Sequence, residues 1–149
     1  MIPAMNRMAF VFACAVVLAA AAAVAGQIAT PRSVWDGVYT EERAKRGERV
    51  AAQQCARCHG DTLTGAESAP ALVGDVFNAN WDGVPFGDLF ERIRISMPQD
   101  TPGSLSRRQI ADVMSYLLKA GKFPAGDTEL ATDAAVLAQI RFISNRPQR

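Results

Sequence analysis

Histidine is almost missing from this 149-residue chain, which has one, His59. Cysteine is scarce as well: there are three, and Cys14 sits in an apolar leader, so Cys55 and Cys58 are the two left for the body of the chain. A zinc site needs four ligands, usually two Cys-x-x-Cys pairs or cysteines joined by histidines, and this chain cannot supply them. No third cysteine remains to pair with either of the two in a longer disulfide framework. Strand patterning is also nearly absent, which removes the βαβ setting expected around a thioredoxin-like Cys-x-x-Cys. Charge of one sign is not in excess either: there are 16 basic and 15 acidic side chains. Nothing resembles the basic stripe that nucleic-acid binding requires. The apolar run from Met8 to Ala23, about 16 residues, falls short of the roughly 20 that span a bilayer.

That run has the form of a secretory leader. Met1 to Arg7 carries one positive charge, the apolar stretch follows, and Ala23-Val24-Ala25 offers the small residues that signal peptidase favours. Residues 1–25 are therefore expected to be a cleaved signal peptide and the mature protein to be periplasmic; an uncleaved membrane anchor is the alternative. Val11-Phe12-Ala13 before Cys14 is a poor lipobox, so a lipoprotein is not expected. Loss of Arg7 with the leader makes the acidic and basic side chains equal in number, and about 123 residues remain, enough for one small domain. Such a domain has a modest core, so a cofactor at its centre would contribute much of its stability.

Residues 26–39, with Pro31 and Gly37, are expected to form an extended arm held down by Trp35 and Tyr39. Thr40 is placed to cap a helix whose first turn carries Glu41 and Glu42, where negative charge suits the helix dipole. The helix is expected to run to about Cys55, with Ala44, Gly47, Val50, Ala51 and Gln54 near one face. A glycine inside a helix costs about 1 kcal/mol relative to alanine, so Gly47 implies close approach by another helix. Residues 60–80 carry three glycines and Pro70 with little periodicity and read as loop, organised by a cofactor. Phe86-Gly87-Asp88 begins a short helix, Leu89 to about Ser96, that Pro98 stops. Ser106 with Gln109 forms a capping box, and Ile110, Val113, Met114, Leu117 and Leu118 make an apolar stripe that ends at Gly121 and Pro124. Residues 40–122 are thus expected to be the domain, and 123–149 an extension packing on it, weakly helical over 133–143. No internal repeat is present.

The chemistry lies in Cys55-Ala56-Arg57-Cys58-His59. A Cys-x-x-Cys-His sequence lets two thiols add across the two vinyl groups of a haem while the adjacent imidazole reaches the iron. A zinc site, a redox dithiol and a plain short-loop disulfide are the competing readings, and the first two lack the setting they need. One haem c, attached through Cys55 and Cys58 with His59 on the iron, is therefore the expected cofactor. For the sixth ligand the candidates after the leader are Met97 and Met114. Met114 belongs to the apolar stripe and is expected in the core, whereas Met97 stands 38 residues past His59, between a helix and Pro98. Met97 is the expected axial ligand; the alternative is a half-buried loop methionine and a five-coordinate iron. Pro70 is a candidate to accept the His59 Nδ1 proton, the contact that orients a ligating imidazole. Leu72 is a candidate to cover the haem edge, and Asn80, Trp81 and Arg94 to reach the propionates.

These features together resemble the class I c-type cytochromes: the Cys55 to His59 motif on a first helix, the Ala69-Pro70-Ala71-Leu72 segment, the Ser96-Met97-Pro98 loop and the closing amphipathic helix. The resemblance covers roughly residues 40–122. Residues 69–74, 92–103 and 123–142 are further similar to small bacterial cytochromes found beside periplasmic quinoprotein dehydrogenases. The resemblance implies an all-α, cytochrome c-like fold whose first and last helices cross closely, setting Gly47 against Tyr116 or Leu117. It also implies His/Met ligation and one-electron transfer through an exposed haem edge, with no catalysis by the protein itself. Implied partners are redox proteins, among them a periplasmic quinoprotein dehydrogenase and a terminal oxidase, and no nucleic acid. The alternatives are an enzyme or gas-binding protein with an open iron site, or a haem docking subunit of a larger dehydrogenase.

Overall fold

In the computed structural model, which describes residues 32–148, Thr40 opens the first helix as its side chain leads one to expect. Its Oγ1 accepts a hydrogen bond from the Arg43 N–H at 3.3 Å, satisfying one of the donors a helix N-terminus leaves open. The expected leader, residues 1–25, lies outside the described residues.

Helix α1, Glu41–Gln54, leads after Cys55 into a single turn, α2, Ala56–His59. Helix α3 is Asp75–Trp81, α4 is Phe86–Ser96, α5 is Arg107–Ala120 and α6 is the short Ala134–Leu137. Two strands of two residues each, β1 at Arg32–Ser33 and β2 at Ile140–Arg141, pair in parallel with Arg32 opposite Ile140. The fold is all-α and cytochrome c-like, with this ribbon tying the arm to the tail.

Three expectations need correction. The stretch 60–80 is not all loop, because α3 occupies its last third; with Gly74 as its N-cap and no side-chain cap, it lacks the local start signal that α1 and α5 display. The tail is not a helix over 133–143: one turn forms behind the Asp133 cap, and residues 140 and 141 become strand. The helix crossing is also displaced. A Cβ on Gly47 would lie 1.8 Å from the Asp112 carbonyl oxygen and 2.9 Å from the Val113 nitrogen, so α1 meets α5 at Asp112 and Val113, about one turn before Tyr116 and Leu117.

That crossing carries a buried charge cluster. The Arg43 guanidinium, 4% exposed, donates through Nε to Asp112 Oδ1 at 2.8 Å and through Nη1 to the Leu130 carbonyl. Arg46 joins from the next turn, donating to Asp112 at 3.3 Å and pairing with Glu129. Removing one partner of such a set leaves an uncompensated buried charge; here it would also release the tail, whose Leu130 carbonyl is part of the cluster. Beyond residue 122 the chain buries Phe123, Leu130, Leu137, Ile140 and Phe142. Phe142 lies 5.9 Å from Phe77, 6.2 Å from Phe86 and 5.3 Å from Phe123, centroid to centroid, within the range in which aromatic pairs attract.

Tyr39 joins the arm to the same core and makes stability depend on alkaline pH. Its hydroxyl, in a side chain 1% exposed, donates to the Phe123 carbonyl at 2.8 Å. Burial first, and the Glu41 charge second, push its pKa up to about 12 from about 10. Between those values the unfolded chain has lost a proton that the folded chain keeps, so stability falls as pH rises through this window, by about 1.4 kcal/mol per unit at most. Denaturant unfolding of Tyr39→Phe is expected to show a shallower decline over the same window, and tyrosinate absorbance to place the late titration at Tyr39. Equal slopes in the two proteins would refute the linkage.

Candidate functional site

The site begins where α1 ends. Cys55 N–H and His59 N–H donate to the Ala51 and Cys55 carbonyls at 2.8 and 2.9 Å, so the helical path continues with a break through α2. One turn separates Cys55 from Cys58, and both thiols are free. Burial first, and then the neighbouring Cys58, push the Cys55 thiol up. Gly60, at φ 80°, turns the chain out of the helix, a conformation glycine adopts without a Cβ penalty.

The following loop carries hydrogen bonds of its own. Gly65 N–H donates to the His59 carbonyl at 3.0 Å, Leu72 N–H to the Leu63 carbonyl at 2.8 Å, and Ser68 Oγ to the Cys58 carbonyl at 3.0 Å. This path brings the Pro70 carbonyl to 2.6 Å from His59 Nδ1. A carbonyl oxygen only accepts, so Nδ1 carries the proton and Nε2 is left with the lone pair that a metal takes. His59 itself is 7% exposed.

Cys55, Cys58, His59, Pro70, Leu72 and Met97 all line one cavity of about 1160 Å³, larger than the roughly 300–1,000 Å³ of ordinary small-molecule sites. Its walls are mainly apolar and come from α1 to α5 and the loop, with Phe77 from α3, Leu89 and Ile93 from α4, and Val113 and Leu117 from α5. Met97 follows the last turn of α4, its N–H bonded to the Ile93 carbonyl at 3.0 Å. Met114 does not line the cavity and is fully buried in the core. Two free thiols one turn apart, a histidine with a defined tautomer, and a large apolar cavity fit a covalently held haem.

Of the side chains expected near the propionates, Asn80 and Trp81 line the cavity but Arg94 does not. Arg94 pairs instead with Glu91, its Nη2 2.7 Å from the carboxylate. Arg92 takes the place on the cavity wall, and the reason is helical period: residues 89, 92 and 93 share one face of α4, while residue 94 has turned away. Spacing from Leu89 is the signal that identifies Arg92. Arg57, inside the cysteine motif, and Gln54, Gln99 and Asp100, which no motif marks, also reach the cavity. Among the described residues no cluster of three or more His, Cys, Asp or Glu is placed to hold a metal ion, and no helix is long and apolar enough to cross a membrane.

Against known proteins, the family model described as "Cytochrome C oxidase, cbb3-type, subunit III" matches residues 42–117, from the first turn of α1 to Leu117 in α5. Among solved structures, the sulfane dehydrogenase SoxCD from Paracoccus pantotrophus is similar at 21% identity and a TM-score of 0.49. The match covers 78% of this chain and 66% of that one, so the chain spans just under two thirds of the structure it resembles. No curated protein sequence matches it.

Proposed function

The chain belongs to the family of cbb3-type cytochrome c oxidase subunit III, and it is a class I c-type cytochrome with one covalent haem c; from that premise we propose that it is a periplasmic carrier of single electrons with His59 and Met97 as the axial ligands of the iron. The observation that carries the ligand assignment is the cavity itself: His59, with Nδ1 committed to Pro70, and Met97 at the end of α4 line the same space as the two free thiols. Bound haem supplies an iron that changes oxidation state by one electron.

The protein's residues do the rest. The Pro70 carbonyl holds the His59 ring in one tautomer and orientation, which raises the basicity of Nε2. The Met97 sulfur, if it bound the iron, would favour the reduced state and raise the potential. Leu72, Phe77, Leu89, Ile93, Val113 and Leu117 surround the site with apolar surface, which limits water and lowers the local dielectric. With His59 and Met97 both bound, the iron would keep no position open to a substrate, which is the ground for reading the protein as a carrier. The family's description as an oxidase subunit supports redox proteins as partners. A periplasmic quinoprotein dehydrogenase and a terminal oxidase are the proposed partners. Export rests on the leader over 1–25 and is checked by a reduced-minus-oxidised spectrum of the periplasmic fraction.

Replacing Met97 by alanine tests the ligand assignment. Covalent haem is expected to survive, because Cys55, Cys58 and His59 are untouched. The sulfur–iron charge-transfer band in the near infrared should vanish, cyanide should bind faster, and the potential should fall within the roughly 0.8 V range over which axial ligands tune haem. Met114→Leu, a nearly volume-conserving change in the core, should do none of this. A Met97→Ala protein with the wild-type band and potential would overturn the assignment and favour an iron open to gases or substrates.

A further inference from the structure

Residues 97–104 leave α4 with few bonds to the rest of the molecule. Thr101 N–H donates to the Pro98 carbonyl at 3.0 Å and Ser104 N–H to the Thr101 carbonyl at 3.2 Å, both within the segment. Pro98 and Leu105 are buried at its ends. Met97 packs against the core, and among the described residues one side-chain hydrogen bond ties the segment to another element: the Arg57 guanidinium donates to the Asp100 carboxylate. Arg57 stands between the two cysteines on α2, Asp100 three residues after Met97, and both line the cavity.

We infer that Arg57 and Asp100 are a positioning pair that clamps the Met97 segment to the haem-attachment turn and so keeps the methionine from leaving the iron. The inference rests on Met97 being the axial ligand. The pair holds two stretches whose proposed ligands are close by: His59 is two positions from Arg57, and Met97 is three from Asp100. The other residue between the cysteines, Ala56, carries no charge. The side chains are 60% and 50% exposed, which decides the size of the effect. Solvent and salt screen such a pair, so its loss changes the population of the released segment by about two- to fivefold rather than by orders of magnitude. The same exposure makes the clamp sensitive to ionic strength.

Cyanide binding to the ferric holoprotein reads this directly, because cyanide enters as Met97 leaves. Asp100→Asn and Arg57→Gln are each expected to raise the binding rate about two- to fivefold at low salt, with the near-infrared sulfur–iron band retained. Wild type should speed up with added salt and the two variants should not. The charge-reversed double variant R57D/D100R should return toward the wild-type rate, as expected of a coupled pair. Amide hydrogen exchange at Thr101 and Ser104 should rise in the single variants and fall again in the reversed pair. Wild-type cyanide rates in both single variants, or a reversed pair as fast as they are, would overturn the clamp. Met97→Ala, measured alongside, separates the two proposals. If it loses the near-infrared band while Asp100→Asn matches wild type, the clamp alone fails; if it keeps the band, the ligand assignment fails and the clamp with it.

Discussion

Replacing Cys55 and Cys58 together with alanine is expected to leave a polypeptide that shows no haem stain on a denaturing gel and no cooperative unfolding transition. The first result follows from chemistry: these are the two thiols on the cavity, and without them no thioether forms. The second follows from volume. A cavity of about 1160 Å³ lined by Leu72, Phe77, Leu89, Ile93, Val113 and Leu117 has no side chains to fill it. At about 24 cal/mol per Å³ of empty space, even a third of it costs on the order of 9 kcal/mol, as much as the roughly 5–15 kcal/mol that hold a whole domain together. The walls must therefore collapse or flood. The Thr40 cap and the Ser106–Gln109 capping box act locally, so residual helix in α1 and α5 is expected by circular dichroism without fixed tertiary packing. Covalent haem surviving the double substitution would refute the attachment assignment.

Gly47→Ala is expected to be as damaging as many larger substitutions elsewhere, because the clash is between backbones. A Cβ at residue 47 would sit 1.8 Å from the Asp112 oxygen and 2.4 Å from its carbonyl carbon, and no side-chain rotation relieves either contact. The two helices must separate, which also pulls Arg43 from Asp112, a pair bonded at 2.8 Å with both residues about 5% exposed. Overpacking usually costs about 1–3 kcal/mol; here more than about 3 kcal/mol is expected, with Gly47→Leu worse. Denaturant unfolding checks it, and an unchanged midpoint for Gly47→Ala would show that α1 and α5 do not cross at this residue. The same reasoning applies at Gly87, where a Cβ would meet the Ala134 carbonyl oxygen at 2.4 Å, so that α4 and α6 also touch backbone to backbone.

Local signals were readable in the chain wherever the physics is local. Thr40 caps α1, and Ser106 with Gln109 forms the full capping box of α5, because both devices act over three residues. The Cys55 to His59 spacing places two thiols and an imidazole on consecutive turns by helix geometry alone. A glycine in mid-helix announced close approach. The Pro70 carbonyl, a candidate acceptor for the His59 ring on the need of a ligating imidazole for an orienting partner, lies 2.6 Å from Nδ1.

Partner and register were decided by the tertiary structure. Gly47 signals that some helix comes close, but whether it meets Asp112 or Tyr116 depends on the depth of the α1–α5 crossing, which the buried Arg43–Asp112 pair and the Leu130 carbonyl define together. Helix α3 has no side-chain cap and forms where Phe77 packs against Phe142, 65 residues later in the chain. The strand at Ile140–Arg141 exists because Arg32–Ser33 lies beside it, and neither stretch is long enough to declare itself. Arg57 and Asp100 stand 43 positions apart; they become a pair at the cavity wall because the cysteine turn and the methionine segment close on the same space. Caps and motifs act through covalent neighbours a few residues apart, so composition and spacing determine them, whereas the depth of a helix crossing and the pairing of distant charges follow from how a whole core fills its volume.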